Sequence, residues 1–92
     1  MILSFRHKGL RRFFEHDDRS KVPPDMAERI VLILGVLHAA RSIDGINVPT
    51  FRLHPLKGKL KGFWTVTVRA NWRITFRFEN GNAFEVDLVD YH

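Results

Sequence analysis

In three successive runs of the second half of the chain the apolar residues fall on even positions, and this shared parity restricts the fold more than any other feature. Trp64, Val66 and Val68 alternate with Thr65, Thr67 and Arg69; Trp72, Ile74, Phe76 and Phe78 alternate with Arg73, Thr75 and Arg77; Phe84, Val86 and Leu88 alternate with Glu85, Asp87 and Val89. A period of two is the signature of half-buried antiparallel strands with one apolar and one polar face. A slip of one residue would send every side chain to the wrong face, so opposed residues must sum to an even number. Even sums ask for odd loops, Arg69-Ala70-Asn71 and Asn80-Gly81-Asn82, each offering Asn or Gly for a left-handed position. The resulting register sets Arg77 opposite Glu85, Thr75 opposite Asp87, Trp72 near Asp90 and Asn71 near Tyr91.

Upstream the period becomes helical. Ile2 to Phe5 reads as a short first strand, and His7 to His16 as a short helix with Leu10, Phe13 and Phe14 on one face and Lys8, Arg11 and Arg12 on the other. After a polar loop, Pro23-Pro24-Asp25 opens a longer helix to Ala40, with Asp25 and Glu28 spaced as a capping box. Met26, Ile30, Ile33, Leu34 and Leu37 form its buried stripe, Arg41 complements its C-terminal dipole, and Gly45 marks its exit. A small strand is expected at Phe51–His54. The class is therefore α+β, ordered β-α-α-β-β-β, with a small antiparallel sheet packed on one face by two helices. At 92 residues this is one domain, residues 1–92, with a core supplied by eight Phe and two Trp. A domain of this size buries about 60–65% of its unfolded surface.

The charge is unevenly distributed. Fifteen Lys and Arg against ten Asp and Glu give +5. Between Gly45 and Phe78 there are seven basic residues, Arg52, Lys57, Lys59, Lys61, Arg69, Arg73 and Arg77, and no carboxylate. Such a stretch suits a polyanion such as RNA, and equally an ordinary solvated face or an acidic protein partner. The absence of Cys excludes disulfides and thiolate metal sites. The N-terminal residues lack the pattern of a signal peptide, and no apolar run approaches the ~20 residues of a membrane span. A cytoplasmic location without membrane association is the expectation.

The polar residues contain the parts of a cyclising ribonuclease, which needs a base for the 2′-hydroxyl proton, an acid for the departing 5′-oxygen and cations for the phosphorane. His54 and His92 are the acid–base candidates, with Lys57 and Arg73 to neutralise phosphate. Asp90 shares the parity of the inward positions and is expected to be a buried orienter or a strand-end cap. Tyr91 can stack on a base, donate to phosphate or rim the core. Asn71 is accounted for by a turn, Trp64 and Trp72 by the core, and His7, His16 and His38 by structure. The alternation of Lys57, Lys59 and Lys61 serves solubility as readily as RNA contact. No glycine-rich phosphate loop, nucleophile elbow or HExxH motif is present, and neither a cofactor nor a metal is expected.

Phe5-Arg6-His7-Lys8-Gly9-Leu10, Leu53-His54-Pro55-Leu56-Lys57-Gly58, Gly62-Phe63-Trp64, Arg69-Ala70-Asn71-Trp72-Arg73-Ile74-Thr75-Phe76 and Asp90-Tyr91-His92 occur in the order and spacing of the HigB toxins of the RelE/ParE superfamily. The resemblance runs from residue 5 to 92. It implies a type II toxin that cleaves messenger RNA in the ribosomal A site, is neutralised by a HigA-type helix-turn-helix antitoxin, and meets operator DNA only within that complex. It also implies that His54, Lys57, Asp90, Tyr91 and His92 form the catalytic set, with Asn71 and Arg73 contacting RNA. The poorest matches are the loop from Asp17 to Pro24 and the link from Ser42 to Thr50. Two alternatives stand beside it. A ParE-like toxin inhibiting DNA gyrase would leave the His54, Lys57 and Asp90–His92 set without purpose. A docking module with a basic face would cause no translation arrest.

Overall fold

The three alternating runs form the strands that parity demands. In a computed structural model that describes residues 1–91, helices α1 (Lys8–His16) and α2 (Ala27–Ala39) precede strands β1 (His54–Pro55), β2 (Phe63–Arg69), β3 (Trp72–Glu79) and β4 (Asn82–Asp90). The strands make one antiparallel sheet in the order β1-β2-β3-β4. The expectations attached to His92 lie outside the described residues.

The apolar residues of both layers meet in one cluster. Met26, Ile30, Ile33, Leu34 and Leu37 of the second helical segment are buried against Phe51, Val66, Ile74, Phe76 and Val86, with Leu10 and Phe13 of α1 joining them. Trp64 and Trp72 pack on this cluster as half-buried core residues. The imidazole of His7 caps α1 by accepting from the Leu10 amide at 3.0 Å, and Asp17 ends the helix in the left-handed region at φ 54°. His38 accepts from the Ile2 amide at 3.2 Å. Both histidines are thereby structural, as expected.

Several local expectations are corrected. Asp25 and Glu28 form no capping box: Pro24–Met26 is a 3-10 turn, so Met26 becomes the cap of α2, while Asp25 pairs with Arg69 and Glu28 with Arg19. That helix leaves through an extended Ala40, and Gly45 sits in the later 3-10 turn Ile43–Ile46. Ile2 and Phe5 make isolated parallel bridges to Ala83 and Val86 on the β4 edge rather than a strand of their own. The expected strand Phe51–His54 is displaced to His54–Pro55, because Phe51 closes a 3-10 turn and Arg52 turns left-handed at φ 52°.

Both hairpins reach even parity by a route other than the odd loop. The β3–β4 turn is Asn80-Gly81, with φ of 51° and 77°, the positive values that tight hairpin turns require. Glu79 opposes Asn82 and Arg77 opposes Phe84, so the register shifts between Thr75 and Arg77 before Thr75 meets Asp87. A bulge carries the shift, with Glu85 at φ 53°. Arg77 therefore does not lie opposite Glu85, although its Nε still donates to that carboxylate at 2.8 Å. Ala83 is buried in place of Phe84, whose ring turns outward under the Arg77 guanidinium, 5.2 Å away. The β2–β3 turn is likewise two residues, Ala70-Asn71, with a register shift between Thr67 and Arg69. Ala70, not Asn71, takes the positive φ of 51°.

Candidate functional site

Strand register assembles the site in rows. His54 opposes Thr65, Thr65 opposes Thr75, and Thr75 opposes Asp87, so one row of same-face residues crosses all four strands. The next row holds Thr67, Arg73 and Val89. Rows two residues apart along a strand are separated by about 6.8 Å, close enough for one phosphate to be reached from both.

His54 lies on the outer strand, exposed, with Nδ1 3.1 Å from the Arg52 carbonyl oxygen. A carbonyl can only accept, so the contact favours a proton on Nδ1 and leaves Nε2 of the neutral ring with its lone pair. Such a ring can take up a proton. Arg73, half-buried in the adjacent row, donates from Nη1 to the carbonyls of Ala70 at 2.5 Å and Trp72 at 3.2 Å. Its guanidinium stands 6.0 Å from the centre of the Tyr91 ring. Tyr91 is exposed, and its amide donates to the Asn71 carbonyl at 2.8 Å, which ties the chain beyond β4 to the β2–β3 turn. Asn71 itself is exposed at that turn.

Lys57 is exposed in the loop after β1, where it precedes the 3-10 turn Gly58–Leu60. The Leu56 amide donates to the Phe63 carbonyl at 2.9 Å and so anchors the loop to β2. Asp90 opposes Trp72, as expected, but is exposed rather than buried: the strand ends there, beyond the reach of the core. The register thus brings His54, Arg73 and Tyr91 to one sheet face and sets Lys57 off its outer edge. Asp90 falls on the alternate parity at the strand's end.

Two features of this face carry no sequence signal. Thr65, beside His54, is fully buried, and its hydroxyl has no hydrogen-bond partner among the described residues. Arg29 of α2 donates to the Thr50 hydroxyl at 3.2 Å, the Thr50 carbonyl at 2.6 Å and the Thr67 carbonyl at 3.3 Å, and its guanidinium covers the Phe51 ring at 5.0 Å. It thereby grips the segment that leads into His54. Further along the face Arg77 is spent internally, paired with Glu85 and Glu79 at 2.8 Å each, and chiefly the Glu85 hydrogen bond raises its pKa above the ordinary value.

The face is open. A cavity of about 270 Å³ lies elsewhere, on the helical side, lined by Phe13, Phe14, Val31, Leu34 and Gly35. An open sheet surface carrying an imidazole, a guanidinium, a phenol and a nearby ammonium can neutralise and deprotonate a flat, anionic, extended substrate. It offers little to enclose a small one.

Comparison with known proteins gives the same class. The chain matches, over residues 3–92, the family model described as the RelE-like toxin of type II toxin-antitoxin system HigB. It is 48% identical over 92 residues to the endoribonuclease HigB of Proteus vulgaris, covering 100% of both chains. It is 31% identical over 90 residues to the toxin HigB-1 of Vibrio cholerae, covering 96% of this chain and 95% of that one. Among solved structures it resembles a YafQ variant from Escherichia coli, with a TM-score of 0.65 at 12% identity, covering 98% of this chain and 91% of that chain. The YoeB dimer from Staphylococcus aureus gives 0.61 at 15% identity, with coverage of 99% and 94%. These two likenesses concern the fold.

Proposed function

This chain belongs to the HigB family of RelE-like toxins of type II toxin–antitoxin systems, and on that premise we propose that it is an endoribonuclease that cuts messenger RNA held in the ribosomal A site. The observation that carries the proposal is the sheet face on which the tethered His54 imidazole shares neighbouring rows with Arg73 and its stacked Tyr91. The 48% identity with an endoribonuclease over the full chain supports it.

The chemistry is metal-independent transesterification. A base removes the 2′-hydroxyl proton, that oxygen attacks the adjacent phosphorus, and the P–O5′ bond breaks as an acid protonates the leaving oxygen. The products are a 2′,3′-cyclic phosphate and a 5′-hydroxyl. His54, Lys57, Asp90, Tyr91 and His92 form the catalytic set, and Asn71 and Arg73 contact the RNA. Arg73 and Lys57 stabilise the phosphorane charge. A shallow face cannot splay and align RNA alone, so the ribosome supplies the orientation that an enclosing cleft would otherwise give. Residues 1–92 act as one toxin domain in the cytoplasm, neutralised by a HigA-type antitoxin and associated with operator DNA only through that complex.

The test is primer extension on a defined messenger RNA, with and without programmed ribosomes, beside His54→Gln and His92→Gln. Cuts confined to A-site codons, dependent on ribosomes and lost in both variants are expected. Cuts that persist undiminished in either variant remove that histidine from the mechanism. No cuts from folded protein, together with inhibition of gyrase supercoiling, would favour the ParE-like alternative.

A further inference from the structure

His54 sits on a strand of two residues, too short to hold an imidazole by pairing alone. The preceding segment is irregular: the 3-10 turn Pro49–Phe51 is followed by Arg52 in the left-handed region at φ 52°, a conformation disfavoured for a residue with a side chain. The Arg52 carbonyl is nevertheless the group that meets Nδ1 of His54 at 3.1 Å. Something must keep that carbonyl in place.

Arg29 is the side chain that grips this segment from a rigid element, two residues upstream of Arg52. It projects from the first turns of α2 and joins three pieces of chain through one guanidinium. It donates to the hydroxyl and carbonyl of Thr50, two residues before Arg52, and to the carbonyl of Thr67, where the β2 register shift begins. Its planar face lies 5.0 Å from the centre of the fully buried Phe51 ring. A planar fork with five donors can hold several acceptors and an aromatic face at once, which a lysine cannot. The joined groups are the turn before His54 and the strand that His54 pairs with.

We propose that Arg29 is a positioning residue for the cleavage reaction: by binding Thr50, Phe51 and the Thr67 carbonyl together it fixes the Arg52 carbonyl that holds His54 in the Nδ1–H tautomer, with Nε2 presented to the RNA. The assignment of His54 to proton transfer rests on the function proposed above; the tautomer and its dependence on Arg29 do not. Positional errors near 1 Å at a reacting group cost up to about 100-fold in rate, so loosening this turn acts on turnover rather than on RNA affinity.

The experiment uses the full chain labelled with 15N-histidine. Long-range 1H–15N spectra are recorded above about pH 8, where an ordinary imidazole is neutral, and the His54 signals are assigned by their loss in His54→Gln. The wild type is expected to show a single Nδ1–H pattern for His54. Arg29→Met, shown folded by its thermal transition, is expected to give mixed tautomers. Its single-turnover cleavage at saturating programmed ribosomes should fall about 10- to 100-fold, with affinity for them changed less than about 2-fold. Arg29→Lys should restore part of the rate, since one donor remains for the Thr50 carbonyl. If Arg29→Met fails to fold, Arg29→Lys and Thr50→Val decide on the same two measurements. An unaltered His54 tautomer and an unaltered rate in folded variants would overturn the proposal. A wild type that cuts nothing on ribosomes would sink the proposed function, while the spectra still decide whether Arg29 sets the tautomer.

Discussion

At the scale of single residues the Thr65 hydroxyl is an energetic anomaly directly opposite His54. It is fully buried with no hydrogen-bond partner among the described residues, a condition that costs about 1–3 kcal/mol. Replacement by an isosteric apolar side chain removes the penalty without opening a cavity. Thr65→Val is therefore expected to raise stability by about 1 kcal/mol, read from the urea midpoint, with cleavage kept within about 2-fold. A collapse of cleavage at unchanged stability would instead make the hydroxyl a participant. His54 was legible in sequence as a candidate, because its His-Pro-Leu-Lys-Gly segment carries a family resemblance. Its tether was not, since a left-handed Arg leaves no mark where Gly or Asn would have. Arg29 was missed because a helix read for its apolar stripe leaves its cations to solvent, yet this one reaches acceptors 21 and 38 residues away. Asp90 followed the parity of the core, but parity says which side a residue takes and not whether the core extends that far.

At the scale of elements, β2, β3, β4 and both helices follow from periodicity, whereas the turns and the two short N-terminal and central strands do not. Even parity within the strands was right for Thr65 with Thr75 and for Thr75 with Asp87. A two-residue turn plus a bulge satisfies the same parity as a three-residue loop, and twist favours the former. The bulge costs a positive φ at Glu85 and exchanges Phe84 for Ala83 in the core, neither of which a pattern of alternation can announce. The link from α1 to α2 has its own device. Asp18 accepts from the Ser20 hydroxyl at 2.7 Å, the Ser20 amide at 3.0 Å and Arg12 Nε at 2.8 Å, and these bonds hold its carboxyl well below the ordinary carboxylate range. A pKa lowered on folding means that the unfolded chain binds the extra proton first. The stabilisation is then present above the unfolded value and is lost as pH falls toward the lowered one. Urea midpoints measured between about pH 5 and pH 2 should therefore fall more steeply for the wild type than for Asp18→Asn, the two converging in acid. Parallel curves would mean that the loop bonds contribute nothing to folding.

At the scale of the whole molecule the question is which of its cations a polyanion can use. The net charge of +5 treats all fifteen alike, but the fold does not. Within the basic stretch Arg69 is bound to Asp25 and Arg77 to Glu79 and Glu85, while Arg52, Lys57, Lys59, Lys61 and Arg73 take part in no ion pair among the described residues. These cations accordingly lie around β1 and the loop after it and at Arg73 of β3, while the carboxylates Glu79, Glu85 and Asp87 lie at the end of β3 and along β4. A cation already neutralised by its own carboxylates has no counterion to gain when RNA arrives and releases none. Each phosphate neutralised by a free cation contributes about 0.7 to the slope of log affinity against log salt for a single strand. Association with programmed ribosomes, measured over a series of potassium chloride concentrations, should thus weaken with salt, and Lys59→Gln with Lys61→Gln should reduce the slope by about 1.4 if both lysines meet RNA. Arg77→Gln should leave it nearly unchanged, although it removes the same formal charge as either lysine substitution alone. Equal slopes for all variants would make the alternating lysines a solvating surface, and a loss at Arg77 of about 0.7, the value for one lysine, would show that its carboxylates release it on binding.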